Sequence, residues 1–447
     1  MRKSVVTVSC FYFVAAASLL LSITIRAEQS DNPEAAPFLE RNQVAGDWLG
    51  TRPMLSEKGV EIFAGYTVEV WGNTAGGLKT GSVYTGLLDF GAEVDLEKAI
   101  GWQGASISTT WLWLSGRDAS EDLVGNFLTI SNIAGFNTLR MFELWFQQEL
   151  FDDRLSIRFG QLSADSEFLI SDYAGLFING TFGWPAFAYM NIPEGGPGYP
   201  MGTLGARAAW NPLDWFTFQS AVFQGNVFAQ DVNRHGFRWR LDAQTGYTFL
   251  NEAQFRWNHR EEEVGLPGQL KPGVWFQSGQ SADALAESTN SGNAGFYVVL
   301  DQMLYRAPGA PADLTNGGKT FQEREGIEKS DQGLGIFGRM AFTPADRNFV
   351  NFSFDTGLSY KGLIPTRDND TVGVGFGYAQ LSSGARSALQ EEGALPAGAE
   401  MVIEATYQAE ITPWLIVQPD LQYIIHPGGS NDYQNALVIG GRAAITF

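Results

Sequence analysis

Residues 60–71, VEIFAGYTVEVW, set the pattern from which the fold of this chain is predicted. The even-numbered residues from Val60 to Val70 are all apolar, whereas the odd-numbered residues are mixed and include Glu61 and Glu69. Successive side chains of a β-strand point to opposite faces, so a period of two predicts a strand. This strand has one apolar face and one mixed face.

The same alternation recurs along the chain up to its last residue. It is clear at residues 84–96, 401–411, 415–425 and 437–447. These runs are about 10–12 residues long, whereas strands of soluble proteins have about 5–6 residues and tilted membrane strands need about 9–11. About sixteen runs fit between Val60 and Phe447, enough for a barrel wide enough to hold water. Residues 236–258 fit either one strand or two.

The predicted fold class is therefore all-β: a transmembrane antiparallel β-barrel of about 16 strands with a water-filled lumen. Lipid requires an apolar outward face, and a water channel requires a polar inward face. A soluble β-sandwich reverses this, and alternation alone does not distinguish the two. The length and number of the strands favour the barrel, and so does the aromatic Phe447 at the end of the last alternating run.

The composition and the N-terminal segment indicate the cellular compartment and exclude some classes of binding partner. The chain has 447 residues, 52 of them Gly, and a formal net charge of −20, which argues against a nucleic-acid partner because that needs a basic face. Residues 1–27 have the basic start and apolar body of a signal peptide, and a retained membrane anchor is the alternative. Cleavage would remove Arg2, Lys3 and Arg26 but no acid, giving −23, and would remove Cys10, the only cysteine.

Segments outside the regular alternation have their own predictions. Residues 28–45 are polar and form a mobile leader. Asp47 is expected either to cap a short helix or to lie in a lead-in to the first strand. Residues 162–201 are rich in aromatics, and we expect part of this connection to fold into the lumen and narrow it; a cap over the barrel is the alternative. Residues 307–332 are polar and charged and are predicted to form an exposed loop.

Several separated motifs resemble one known family, the carbohydrate-selective porins of the OprB type. They are GDWLGTR at 46–52, FGR at 337–339, DRN at 346–348, YKGLIP at 360–365, TPW at 412–414, QPDLQY at 418–423 and HPGG at 426–429. The resemblance covers roughly residues 46–447, and the motifs occur in the family's order. Because these motifs are largely structural, they point to a porin and leave the particular sugar open.

The resemblance implies a 16-stranded barrel in the bacterial outer membrane whose lumen favours small neutral carbohydrates such as glucose. It makes residues 46–59 a periplasmic N-terminal motif and residues 60–447 the porin β-barrel. Outer-membrane lipid is the expected surroundings, and the strand that ends at Phe447 is the expected signal for the barrel-assembly machinery. A general or ion-selective outer-membrane porin on the same fold is the alternative function.

Strand parity nominates the inward residues that could line the pore and bind sugar. Carboxylates and guanidiniums suit sugar hydroxyls, provided that binding stays weak enough for release. The candidates are Glu61, Glu69, Trp71, Asp89, Glu93, Arg158, Arg207, Arg238, Arg240, Arg339 and Asp355. The alternative for each is a solvated lumen residue or a member of a structural ion-pair ladder.

No catalytic, cofactor or metal site is predicted. The three histidines, His235, His259 and His426, have no metal-ligand spacing, and neither a G-x-S-x-G nor an H-E-x-x-H motif occurs. An outer-membrane lipase that uses Ser and His is one alternative. A periplasmic β-rich sugar-binding or hydrolytic protein is another, and membrane fractionation distinguishes it from a barrel.

Overall fold

A computed structural model describes residues 37–241, 246–259, 263, 265–282, 289–307 and 332–447. Residues Phe38–Phe447 form one compact unit, in which sixteen antiparallel strands close into a barrel. The predicted fold class and strand number are therefore confirmed. The predicted signal peptide, residues 28–36 of the leader and most of the connection 307–332 lie outside the described residues.

The strands follow the alternating runs of the sequence. They are β1 (Val60–Ala75), β2 (Gly81–Asp95), β3 (Ala105–Gly116), β4 (Thr138–Leu150), β5 (Leu155–Leu162), β6 (Thr203–Leu213), β7 (Phe216–Gln224), β8 (Tyr247–Trp257), β9 (Gly268–Ala282), β10 (Thr289–Arg306), β11 (Gly333–Phe342), β12 (Val350–Lys361), β13 (Thr371–Leu381), β14 (Ala399–Thr412), β15 (Leu415–Ile425) and β16 (Ala436–Thr446).

Closure of the barrel joins the first strand to the last. β1 pairs with β16 in an antiparallel register that runs from Gly65 opposite Thr446 to Trp71 opposite Gly440. Each strand also pairs with its neighbour in sequence. A closed barrel has no strand edge, so the ladders satisfy backbone groups that lipid could not. Among the described residues, no helix is both long and apolar enough to span a membrane.

Side-chain burial separates the two faces of the wall. In β1, Val70 is 58 % exposed on the outside, whereas its neighbour Glu69 is 0 % exposed on the inside. The outward face carries large apolar side chains such as Trp113 and Phe159. A sandwich would bury this face, so the outward position of the apolar side chains is what a lipid-facing wall requires.

The barrel has two rims, which we name by their connections. The turn rim holds the end of β16, the start of β1 and short connections such as 151–154 and 214–215; the loop rim holds the connections 117–137 and 163–202. In outer-membrane barrels the short turns face the periplasm. β10 ends and β11 begins at the turn rim.

A short helix at the turn rim forms the later part of the N-terminal motif, residues 46–59. Helix α1 (Thr51–Glu57) begins after Gly50, which has a φ of 85° that favours glycine. Asp47 does not cap this helix, because its carboxylate accepts from the Leu49 N–H at 3.1 Å. Arg52 donates to the carbonyl of Phe447 at 2.9 Å, so the motif is held at the seam where β1 meets β16.

Three further helices are short, and each lies in a connection. They are α2 (Leu96–Ile100) at the turn rim, α3 (Ala186–Asn191) within loop 163–202, and α4 (Ser383–Glu391) at the loop rim. Of the described residues between 236 and 258, those of β8 form a strand and residues 236–241 do not.

Candidate pore constriction

Two connections from the loop rim fold into the lumen. They are loop 117–137, between β3 and β4, and loop 163–202, between β5 and β6. The loops bond to each other: Asn132 N–H donates to the Ile178 carbonyl at 2.8 Å, and Gly180 N–H donates to the Thr129 carbonyl at 2.7 Å. The prediction that part of residues 162–201 enters the lumen is confirmed. The entry of loop 117–137 was not predicted.

Aromatic side chains of loop 163–202 make a small apolar core inside the barrel. Phe177 and Phe182 pack against each other with ring centroids 4.8 Å apart, and both contact Phe337 on the inner face of β11. All three rings are buried. Burying each of them contributes roughly 1.5–3 kcal/mol of apolar transfer free energy, so this core fixes the loop against the β11–β13 wall.

Glycines on the inner face of that wall make room for the rings. A Cβ at Gly375 would lie 2.8 Å from Phe182 Cζ and 3.0 Å from Phe177 Cε1. A Cβ at Gly335 would lie 2.1 Å from the Tyr173 ring. A side chain at either position would lie too close to a ring of the loop. The loop can therefore pack against these two positions only when they are glycine.

Carboxylates on β14 hold the backbones of both loops. Glu404 accepts from the N–H groups of Ile178 and Asn179 at 2.6 and 2.9 Å. Glu400 accepts from the Leu128 N–H of loop 117–137, also at 2.6 Å. Both glutamates are fully buried. Because buried backbone N–H groups must be hydrogen-bonded, these contacts tie both loops to β14, which lies several strands around the barrel from the strands where the loops begin.

Carboxylates on β8 and β10 hold the first part of loop 163–202. Glu252 accepts from Leu169 N–H at 3.1 Å and from Tyr297 Oη at 3.0 Å. Asp301 accepts from the Ser171 hydroxyl and, at 2.8 Å, from Gln269 Nε2. The loop is thus fixed at several strands around the circumference, and its position across the lumen is set by the wall.

Arg339 and Asp355, both predicted site residues, form a buried ion pair beneath the same loop. Arg339 Nε donates to Asp355 Oδ1 at 2.7 Å. Its two terminal nitrogens donate to the carbonyls of Leu169 and Gly183, each at 3.0 Å, and of Thr181 at 2.6 Å. With Arg339 only 3 % exposed, these contacts indicate that the pair anchors the loop.

Arg158 and Arg207 also meet loop 163–202, through Glu167. Arg158 Nη1 donates to Glu167 Oε1 at 2.9 Å, Arg207 Nε donates to Glu167 Oε2, and the Arg158 guanidinium lies 3.8 Å from the centre of the Trp145 ring. Burial raises the pKa of Glu167, but the charges of Arg207 and Arg158 outweigh it, so this pKa lies below its ordinary value. Both arginines face inward and are buried in an ion cluster.

Glu69 and Trp71 contact β16 on the inner face of β1. Arg442 Nε donates to Glu69 Oε1 at 2.8 Å, and Trp71 Nε1 donates to Glu69 Oε2 at 2.8 Å. Arg442 also donates to Asn132 in loop 117–137. The structure therefore places these two predicted residues in a link between the barrel seam and that loop.

Asp89 and Glu93 are half-buried on the inner face of β2, and Asp172 of loop 163–202 is exposed within the barrel. Asp172 accepts from Gln269 Nε2 at 2.8 Å. Glu61, near the turn rim, accepts from the Ser56 hydroxyl. Among the predicted residues, Asp89 is the inward one that keeps part of its surface accessible away from the rims, whereas Glu93 is paired with Glu61 in the β1–β2 ladder near the turn rim.

Arg238 and Arg240 require a correction. Their alternation with the apolar residues Phe237, Trp239 and Leu241 predicts a strand, but both arginines lie in the connection between β7 and β8 and are exposed. Their neighbour Phe237 packs on the outward Trp111, at 5.7 Å between ring centroids. Alternation over a few residues is too short to distinguish a strand from an extended segment that crosses the rim.

Four carboxylates that hold the loops are not among the predicted site residues. Glu404 was recognised only as a polar residue of an alternating run, and Glu252, Asp301 and Glu400 were not singled out. Strand parity identifies all four as inward. Strand parity does not show which inward residues lie beneath a loop, because that depends on the path of the loop. Loop 163–202 is 40 residues long, and its path cannot be read from the alternation of the strands.

Comparison with known proteins gives consistent results. The profile of the "Carbohydrate-selective porin, OprB family" matches residues 79–447. Porin B of Pseudomonas aeruginosa is 24% identical over 486 aligned residues, which cover 100% of this chain and 98% of that protein. The putative porin QuiX of Acinetobacter baylyi is 21% identical, covering 91% of this chain and 94% of that protein.

Solved structures show the same fold. The high-pH structure of Pseudomonas putida OprB has a TM-score of 0.77 and 24% identity, and the match covers 92% of this chain and 100% of that one. Salmonella typhi OmpF, in a complex with daunomycin, has a TM-score of 0.54 and 10% identity, covering 88% of this chain and 99% of that one.

Proposed function

The chain belongs to the carbohydrate-selective porin family, OprB, and from this membership we propose that small neutral sugars such as glucose pass the two inward-folded loops by passive diffusion. The protein is an outer-membrane porin and a channel for carbohydrates. Because the protein is a channel, we expect it to let sugars pass without converting them chemically.

The observation that carries the proposal is the contrast between buried and accessible inward groups. Arg158, Arg207, Arg339 and Glu69 are occupied in holding the loops, whereas Asp89, Glu93 and Asp172 keep accessible surface inside the barrel. Carboxylates accept hydrogen bonds from sugar hydroxyls. A few such contacts along a water-filled passage favour entry of a sugar without holding it, as selective diffusion requires.

Swelling of proteoliposomes tests this function. We expect glucose to enter faster than a neutral amino acid of similar size, because only the sugar presents several hydroxyls to the accessible carboxylates. Equal entry of the two solutes would make the protein a general porin. A large reversal potential in a KCl gradient, without a preference for sugar, would make it an ion-selective channel; either result would reject the proposal.

A double variant locates the contact. Asp89→Asn combined with Glu93→Gln is expected to lower glucose entry about two- to tenfold, since hydrogen bonds to charged groups are replaced by weaker neutral ones. The matched control is Glu392→Gln, an exposed acid after helix α4 at the loop rim. Entry equal to wild type in the double variant would remove both residues from the site.

Three further assignments stay proposals. Residues 1–27 act as a cleaved signal, which N-terminal sequencing of the secreted protein tests. The apolar outward face contacts outer-membrane lipid. The barrel-assembly machinery recognises the strand that ends at Phe447, and a Phe447→Ala variant that accumulates unassembled in the periplasm would support this.

A further inference from the structure

We propose that Arg140 forms a binding site for sugars that carry a carboxylate, near the loop rim of the lumen. Arg140 is on the inward face of β4 and is 0 % exposed. One terminal nitrogen, Nη1, contacts the Met201 sulfur at 2.8 Å, and the guanidinium lies 5.3 Å from the centre of the Phe136 ring. In the described part of the chain, Nε and Nη2 have no hydrogen-bond partner.

The two nitrogens without a hydrogen-bond partner distinguish Arg140 from four other inward arginines. Arg158, Arg207, Arg339 and Arg442 each pair with a carboxylate of the wall or of a loop. A buried guanidinium without a counter-ion is costly, by several kcal/mol. A bound anion would offset that cost, whereas a neutral sugar would not.

The two unpartnered nitrogens specify the shape of the ligand. The N–H of Nε and one N–H of Nη2 point in parallel from the same side of the planar guanidinium. This is the edge that accepts both oxygens of one carboxylate in a bidentate pair. The orphan donors on Arg140 are therefore arranged for a carboxylate, while Nη1, on the other side, is occupied by Met201.

An open cavity at the loop rim, on the other side of Phe136 from Arg140, gives the sugar ring a place. It has a volume of about 390 Å³ and is lined by Phe136, Asn137, Gln230, Asp231 and Arg234. This volume lies within the roughly 300–1,000 Å³ of small-molecule sites. Phe136 belongs to both environments, because its half-buried ring lies over the guanidinium and also lines the cavity.

The cavity supplies a second cation and one acid. Arg234 donates to the Asn137 carbonyl at 2.9 Å and lies on the cavity wall with Asp231. A sugar acid in the cavity would place its ring against Phe136, and the site requires the Phe136 side chain to move aside before the carboxylate can reach the buried Arg140. The inference rests on the proposed sugar-channel function and extends its substrates from neutral sugars to sugar acids.

Block of the ion current by sugars in planar bilayers tests the site. Glucuronate and glucose are the probes, since they differ only in a carboxylate at C6. In wild type, we expect glucuronate to half-block the current at a concentration about tenfold lower than glucose does. Arg140→Met should remove this difference and leave block by glucose within about twofold of wild type.

One control variant and one replacement variant complete the test. Arg347→Met removes a guanidinium that pairs with Asp346 in the connection 343–349, and it should retain the preference for glucuronate. If Arg140→Met fails to give a heat-modifiable barrel, Phe136→Ala replaces it, and removal of the ring should strengthen block by glucuronate. Preference unchanged in a folded Arg140→Met, or in Phe136→Ala, overturns the inference.

The ligand class and the parent function are tested separately. Block by glucose 6-phosphate that equals or exceeds block by glucuronate would overturn the assignment to a carboxylate. Absence of glucose entry into liposomes would reject the proposed passage of neutral sugars, whereas loss of the glucuronate preference alone would reject only the Arg140 site.

Discussion

Replacing Arg339 with Met should release loop 163–202 from the wall while the barrel stays folded. The change removes one bond to Asp355 and three bonds to loop carbonyls, and it leaves the Asp355 carboxylate buried without its partner. Breaking a buried pair in this way costs about 3–5 kcal/mol. The equilibrium between the attached and the detached loop should therefore shift by a factor of about 150–5,000 towards detachment.

The cost falls on the loop because the wall is held independently. Strand pairing between β11 and β12 uses backbone groups, from Gly333 opposite Lys361 to Phe342 opposite Phe352. Heat-modifiable mobility on gels should therefore match wild type. Single-channel recordings should show a larger mean conductance and more open-channel noise, since the loop no longer keeps one position in the lumen.

A second substitution separates the two causes. Arg339→Met combined with Asp355→Leu removes the orphaned carboxylate, and replacing both members of a buried pair with apolar groups is often close to neutral. We expect this double variant to recover only part of the wild-type conductance, because the three loop carbonyls still lack their donor. A folded Arg339→Met barrel with wild-type conductance and noise would refute the anchoring role of Arg339.

Two further changes probe the loop contacts independently. Gly375→Val should displace Phe182 at a cost of about 1–3 kcal/mol and speed the entry of disaccharides into liposomes. The control is Gly338→Ala, which should match wild type because no atom lies within 4 Å of its new Cβ. Equal disaccharide entry in both variants would contradict the packing argument. The pKa of Glu167 is lowered in the folded protein, so its ion cluster contributes its full stability above about pH 4 and loses it as the pH falls further through that lowered pKa. Conductance titrated from pH 7 to 3 should rise below about pH 4 in wild type, and Glu167→Gln should already show the raised conductance at pH 7; identical titration curves would contradict this role.

The barrel itself could be predicted because its two faces have different surroundings over sixteen long strands. The alternation of Val60 to Trp71 gives the side-chain directions of β1 correctly, and the same parity places Arg158, Arg207, Arg339 and Asp355 on the inside. Parity failed at Arg238 and Arg240, where a short extended segment outside the barrel ladder imitates a strand.

The constriction could be predicted only in outline. The apolar aromatics of residues 162–201 indicate a buried loop, but loop 117–137 carries a weaker signal, with Leu128 and Ile130 as its deeply buried residues. Their partners are Glu400 and the Gln422 side chain, which lie about 270 residues or more away in the chain. Contacts at that separation follow from closure of the barrel and leave no local pattern in the sequence.

The inward polarity of the strands has a second cause besides water. Backbone N–H and C=O groups of a loop inside a barrel must be hydrogen-bonded, as they would be in any buried position. Glu404 accepts from two such N–H groups, and Arg339 donates to three such carbonyls. A polar inner face therefore serves the peptide groups of the loops as well as the channel. An inward charge indicates a substrate contact only where the structure leaves it accessible, as at Asp89, or without a protein counter-ion, as at Arg140.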